Sequence, residues 1–191
     1  MLKKIFKMPK PVKIMGRTSS VTNAFVNGII PCIEPSEKEI KTALDILGLD
    51  VNDLRCAYCG DNVTEWDHFR PLVMNQRPTG YISEIHNLVP ACGKCNQSKG
   101  NKDWRKWIVS SAPKSPQTRN IEDLNIKIKR LEKFEKWKKV KPLDFEKMVG
   151  TKDWDTHWDN HKKILAMMKE HQKHSDHIKK LILKREKSSA A

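Results

Sequence analysis

Four cysteines stand in two C-x-x-C pairs, Cys56-Ala57-Tyr58-Cys59 and Cys92-Gly93-Lys94-Cys95. Two thiolates at this spacing can bind one metal from one tight knuckle. Two such pairs can close a tetrahedral zinc site. A closed four-cysteine site pins the chain at two places and contributes folding free energy directly. The order expected here is a knuckle at Cys56 and Cys59, a hairpin, then a helix entered through Cys92 and Cys95, which is the treble-clef arrangement. The competing reading is four buried cysteines whose pairing in sequence is accidental.

The redox compartment bears on this choice. Residues 1–7 are basic and lack an apolar h-region, so no secretory signal is expected. The longest apolar runs fall far short of a membrane span. The chain is therefore expected to be intracellular and cytoplasmic, without a membrane partner. Thiols stay reduced there, and C-x-x-C pairs serve as metal ligands more often than as disulfides. Cys32 is left over and is expected to be a buried or free thiol.

Around the cysteines the sequence reads as an α+β protein with mostly helical extensions. Residues 1–35 look irregular, with Gly16-Arg17-Thr18-Ser19-Ser20 as a basic, hydroxyl-rich stretch able to donate to phosphates. Ser36 and Glu39 form an S-x-x-E capping box ahead of Ile40, Ala43, Leu44 and Leu47, and Gly48 closes that helix. Residues 63–69 and Leu88-Val89-Pro90 read as strands. The stretch between them is long for a hairpin. Helix is expected after Cys95, with a break at Gly100-Asn101, and again over residues 103–109. Asn120 and Asp123 can cap a helix reaching about Val140, with Leu124, Ile128, Leu131 and Phe134 or Trp137 on its apolar side. A last long helix is expected from near Thr151, and residues 187–191 are expected to fray. These elements divide the chain into an N-terminal arm and supporting helix at 1–50, a core at 51–112 and a helical C-terminal region at 113–191.

The formal charge of +14 predicts attraction to a polyanion. A generic lysine-rich surface accounts for it equally, so the motifs must decide. Between the cysteine pairs lies Glu65-Trp66-Asp67-His68, and the second pair runs into Asn96-Gln97-Ser98-Lys99-Gly100. His68 has the titration range to take a proton from water near neutral pH. Asp67 is a hard oxygen ligand suited to Mg²⁺ or Mn²⁺, and Asn96 offers a neutral oxygen from the following helix. Lys99 and Arg70 are candidate phosphate-binding cations, or ordinary solvated ones. His86 reads as a loop histidine bonded to backbone. His157, His161, His171, His174 and His177 read as polar-face residues of the last helix.

Asp67-His68-x-x-Pro71-Leu72, then Asn87-Leu88, then Cys92-x-x-Cys95-Asn96-x-x-Lys99-Gly100 resembles the HNH endonucleases with a zinc-bound ββα-metal core. The resemblance covers residues 56–100. It implies that His68 is the general base and that Asp67 and Asn96 bind one catalytic metal. It also implies that Asn87 fixes the loop between the strands by hydrogen bonds, and that the products carry 5′-phosphates. Asn96 stands where some members have histidine.

These readings converge on a metal-dependent endonuclease of double-stranded DNA, of restriction type. It would carry structural Zn²⁺ on Cys56, Cys59, Cys92 and Cys95 and catalytic Mg²⁺ or Mn²⁺ on Asp67 and Asn96. The C-terminal helices are a candidate homodimer surface. Two other functions use many of the same residues: a nicking or homing HNH nuclease or an RNase, and a zinc-stabilised nucleic-acid-binding module without activity. The last leaves Asp67, His68 and Asn96 unexplained.

Overall fold

The structure, a computed structural model, describes residues 8–189. The basic start at residues 1–7 and the terminal Ala190 and Ala191 lie outside the described residues. The chain forms two compact units: Val26–Phe145, and a second made of Met1–Phe25 with Glu146–Ala191.

The first unit holds the cysteine core. Its elements begin with α2 (Glu37–Leu47), which follows α1 (Thr18–Asn27) in the chain. Ser36 caps α2: its hydroxyl accepts from Glu39 N–H at 3.3 Å, and the Glu39 carboxylate accepts from Ser36 N–H at 2.9 Å. Such a reciprocal cap satisfies two otherwise orphaned donors. Gly48 ends the helix at φ +62°, where a side chain would also collide with the Arg130 guanidinium. Ala43 and Leu47 face the core.

A knuckle follows. Cys56 N–H donates to Asp61 O at 2.8 Å, and Gly60 N–H donates to Cys56 O at 2.8 Å. The chain then enters β1 (Glu65–His68), which pairs antiparallel with β4 (Leu88–Ala91) in the register Glu65 to Ala91 and His68 to Leu88. A two-stranded sheet has only edges, so Pro90 fits without a lost ladder bond; its carbonyl instead accepts from Ala57 N–H at 2.9 Å. Between β1 and β4 lies a small hairpin of β2 (Val73–Met74) and β3 (Arg77–Pro78). Its two linking residues, Asn75 and Gln76, both have positive φ, the geometry of a two-residue primed turn. That hairpin occupies much of the stretch that looked long in the sequence.

After β4 come α3 (Gly93–Lys99), α4 (Trp104–Ile108) and α5 (Leu124–Trp137). Knuckle, antiparallel pair and α3 make the treble-clef ββα core, in an α+β fold. Tyr58, Phe69, Trp104, Trp107, Leu131 and Phe134 form one buried cluster beneath it. Tyr58 meets Trp107 edge-on at 5.2 Å, and Phe69 meets Phe134 edge-on at 5.6 Å. Truncating an aromatic residue in such a cluster costs about 3–5 kcal/mol. Asn120 takes a left-handed conformation ahead of α5 and is not its cap; Asp123 holds the N-cap position and the helix runs from Leu124 to Trp137.

α6 (Phe145–Val149) lies at the boundary of the two units. The second unit is built on α7 (Thr151–Ser189), a helix of 39 residues. The stretch Gly16-Arg17-Thr18-Ser19-Ser20, expected to be irregular, is a 3-10 turn running into α1. Its partners are remote in sequence, which is why local reading misses it. Thr22 Oγ1 meets His161 Nε2 at 3.0 Å in a buried pair, and the Phe25 ring packs on His157 and His161. Those two histidines therefore anchor α1 rather than line a polar face. The fraying expected from 187 onward gives way to helix through Ser189. Among the described residues no helix is long and apolar enough to cross a membrane.

Candidate active site

The four cysteine sulfurs converge. Cys56, Cys59, Cys92 and Cys95 are all buried, and their sulfurs lie within 4.8 Å of one another. Cys59 Sγ and Cys92 Sγ are 3.6 Å apart. A tetrahedron of Zn–S bonds of about 2.3 Å has edges of about 3.8 Å, so the cage fits zinc. Four thiols this close cannot all ionise unaided: the contact with Cys59 pushes Cys56 up to about 12. A divalent cation removes that conflict. Cys32 is separate, exposed and free.

Arg119 completes the cage, and nothing in the sequence marks it. Its guanidinium donates to Cys95 Sγ at 2.9 Å and to Asp61 at 3.1 Å. Burial pulls its pKa down, but the Cys59, Cys95 and Cys92 sulfurs outweigh that and raise it. A permanent cation beside four thiolates offsets part of their charge.

β1 alternates its side chains, and this organises the rest of the site. Glu65 and Asp67 meet α3, where Asn96 and Lys99 stand one turn apart. Asp67 is buried. Its Oδ2 accepts from the Tyr58 hydroxyl at 2.5 Å and lies 2.9 Å from Lys99 Nζ. Burial raises the Asp67 pKa, Lys99 and Tyr58 oppose that rise, and Glu65 adds to it. Burial, followed by the Asp67 charge, likewise lifts Tyr58 well above the phenol range, so Tyr58 remains a donor.

Lys99 occupies a different place from the solvent-facing phosphate contact expected from the sequence. It is fully buried. Beyond Asp67 its ammonium donates to His68 O at 2.9 Å and Gly100 O at 3.4 Å. It therefore ties β1 to the end of α3. Asn96 donates through Nδ2 to Glu65 Oε2 at 2.5 Å. Glu65 was not singled out from the sequence, although its position two residues before Asp67 puts both acids on one strand face.

His68 is half-buried at the end of β1. Its Nε2 meets Ser83 Oγ at 2.8 Å. Ser83 is held in turn: its N–H donates to Pro31 O at 3.2 Å, and its carbonyl accepts from Ile33 N–H at 2.9 Å. Burial, then the Lys99 charge, lowers the His68 pKa from its ordinary 6.5. The imidazole is thus kept neutral, the form that accepts a proton.

Asn87 is fully buried and closes the loop after β1. Its Oδ1 accepts from Arg70 N–H at 2.7 Å, and its Nδ2 donates to Arg70 O at 3.1 Å and Ile82 O at 3.2 Å. Arg70 is drawn inward rather than toward solvent. It donates to His86 O at 3.3 Å and Glu135 O at 3.4 Å, and lies over the Tyr81 ring. His86 is buried against Trp137 at 4.2 Å with Glu84 at 3.3 Å from Nδ1, a carboxylate partner in place of the backbone bond expected.

The cysteine-caged ββα unit thus carries Asp67 and His68 on β1 and Asn96 on α3. The HNH endonuclease family model matches residues 56–102, and that segment is an HNH endonuclease domain. Over 62 residues the chain is 37% identical to the CRISPR-associated endonuclease Cas9 of Corynebacterium diphtheriae. The matched stretch is 30% of this chain and 5% of that protein, so the chain spans a small fraction of its curated relative. No solved structure matches the chain.

Proposed function

We propose that this chain is a metal-dependent endonuclease that hydrolyses phosphodiester bonds in double-stranded DNA, of restriction type, with zinc as its structural ion. The observation that supports the reading most is the match of residues 56–102 to the HNH endonuclease family on a cysteine-caged β1–β4–α3 unit that carries Asp67 and His68 on β1 and Asn96 on α3. Asp67 and Asn96 are the proposed ligands of a Mg²⁺ or Mn²⁺ ion. The Asp67 carboxylate and the Asn96 amide oxygen are both oxygen ligands, a set suited to a hard cation, and such an ion would compete with the Lys99 ammonium for Asp67. When bound, such an ion stabilises charge on the phosphate and on the departing 3′ oxygen.

His68 takes the proton of the attacking water. With Nε2–H donating to Ser83 Oγ, Nδ1 keeps the lone pair for that transfer. Lys99 fixes the His68 backbone and the Asp67 carboxylate, while Asn87 holds the loop that follows. A cleft of ≈ 570 Å³ beside the knuckle is lined by Arg55, Asp61, Thr64, Lys94, Gln97 and Lys114, and its three cations are candidate contacts for a phosphate backbone. The exposed cations Lys173, Lys179, Lys180 and Lys184 of α7 supply further attraction to DNA. Exposed Ile178, Leu181 and Ile182 make the same helix the proposed homodimer surface, which sedimentation of the purified protein tests.

The zinc-loaded protein is to be incubated with supercoiled plasmid, linear duplex and RNA in Mg²⁺ or Mn²⁺, beside EDTA and His68→Ala controls. Metal-dependent cutting of the DNAs at recurrent sites, absent from both controls, is expected. Nicked circles without linear product would point to a nicking enzyme, and cutting confined to RNA would replace the substrate. DNA binding without cleavage in either metal would leave a binding module instead.

A further inference from the structure

β1 turns two acids toward α3, and only Asp67 has been given a role so far. Glu65 is half-buried, with Oε2 2.5 Å from Asn96 Nδ2. An ionised carboxylate accepts hydrogen bonds and donates none. The end of the Asn96 amide that faces Glu65 must therefore be the nitrogen, which turns the oxygen away. An asparagine without such a partner can present either end, yet only the oxygen ligates a hard divalent cation. We propose that Glu65 is a positioning residue that locks the Asn96 amide so that Oδ1 is the atom offered to the catalytic metal. The inference rests on the assignment of Asn96 to that metal made above.

The surroundings hold both partners in place. Asn96 N–H donates to Cys92 O at 3.0 Å, so its backbone is fixed in α3 and its remaining freedom is side-chain rotation. Glu65 Oε1 lies 3.0 Å from where a side chain on Gly93 would begin. The bare Gly93 between two zinc ligands thus leaves room for the carboxylate. Thr64 Oγ1 accepts from Gly93 N–H at 3.0 Å, tying the entry of β1 to the first turn of α3. The cysteine cage thereby sets the distance across which Glu65 reaches Asn96. Groups that orient a metal ligand in this way commonly change metal affinity by about 10–100-fold.

The test is Mn²⁺ binding to the zinc-loaded protein without DNA, followed by the paramagnetic resonance signal of free Mn²⁺. Glu65→Ala is expected to weaken binding about 10-fold or more. Glu65→Gln is expected to stay close to the parent, because its amide oxygen still accepts from Asn96 Nδ2. In an Asn96→Ala background, Glu65→Ala is expected to add nothing, since the residue through which it acts is gone. Glu65→Met replaces Glu65→Ala if the shorter side chain fails to retain zinc. An unchanged Mn²⁺ affinity in Glu65→Ala beside a weakened Asn96→Ala overturns the role of Glu65 alone. So does a Glu65→Gln protein as weak as Glu65→Ala, which would make the carboxylate charge the operative feature, and so do additive losses in the double variant. An Asn96→Ala protein that binds Mn²⁺ like the parent overturns the metal assignment itself, and the role of Glu65 falls with it.

Discussion

Lys99→Met separates an interior role for this lysine from a substrate-contacting one. Methionine keeps the aliphatic stem and removes the ammonium, leaving Asp67 buried with only the Tyr58 hydroxyl opposite it. At 2.9 Å from Asp67 Oδ2, the attraction is roughly 6 kcal/mol at an effective dielectric of ~20. Desolvation of both ions offsets much of that while the pair is intact, but removing one partner strands the other and costs about 3–5 kcal/mol. Two further bonds go as well, to His68 O and Gly100 O, and with them the link from β1 to the end of α3. The expected loss lowers the melting temperature on the order of 10 °C. Urea unfolding of zinc-loaded protein, with melting curves alongside, gives the measurement. Adding Asp67→Asn should return part of the loss, because the stranded charge is then gone. A Lys99→Met protein as stable as the parent, but with weakened DNA binding or slowed cleavage, would refute the interior role and restore the phosphate contact.

His68→Ala is expected to fold and bind zinc while cleaving at least ~100-fold more slowly in single turnover, the usual scale for a lost general base. Because burial and Lys99 lower the His68 pKa, the acid limb of kcat/KM should lie below pH 6.5. The linked stability is fully present above the unfolded value near 6.5 and is lost as pH falls through the lower folded value, so urea midpoints of the parent should drop there and those of His68→Ala should drop less. Asn87→Ala leaves the Arg70 amide without its 2.7 Å acceptor and should cost about 1–3 kcal/mol in urea unfolding, with a loss of cleavage that tracks the loosened loop. Stripping zinc with a strong chelator should unfold the core rather than slow it, seen as loss of the near-ultraviolet signal of Trp104 and Trp107; retained tertiary signal in zinc-free protein would contradict the cage.

The local elements were legible because their causes are local. The capping box at Ser36 and Glu39 and the left-handed Gly48 appear in the structure where short-range hydrogen bonds and backbone sterics put them. The two C-x-x-C spacings determined a four-sulfur cluster, since thiolates three positions apart on a knuckle and a helix turn have few other ways to share a cation. The order Asp67, His68, Asn87, Asn96 likewise points to a nuclease domain from sequence alone.

Partnerships across the fold were another matter. Arg119 lies far along the chain from Cys95, and Ser83 from His68, and neither carries a sequence signal for its bond. The helix over residues 18–27 depends on α7, more than a hundred residues away. Lys99 looked like a phosphate contact because a lysine one turn beyond Asn96 is ordinarily solvated. Only the packing of α3 against β1 buries it, and once buried an ammonium must find a carboxylate. A sequence specifies which charges exist and at what spacing. Which of them lose their water is decided when the elements pack, and that desolvation divides the cations of this site between interior ties and surfaces open to DNA.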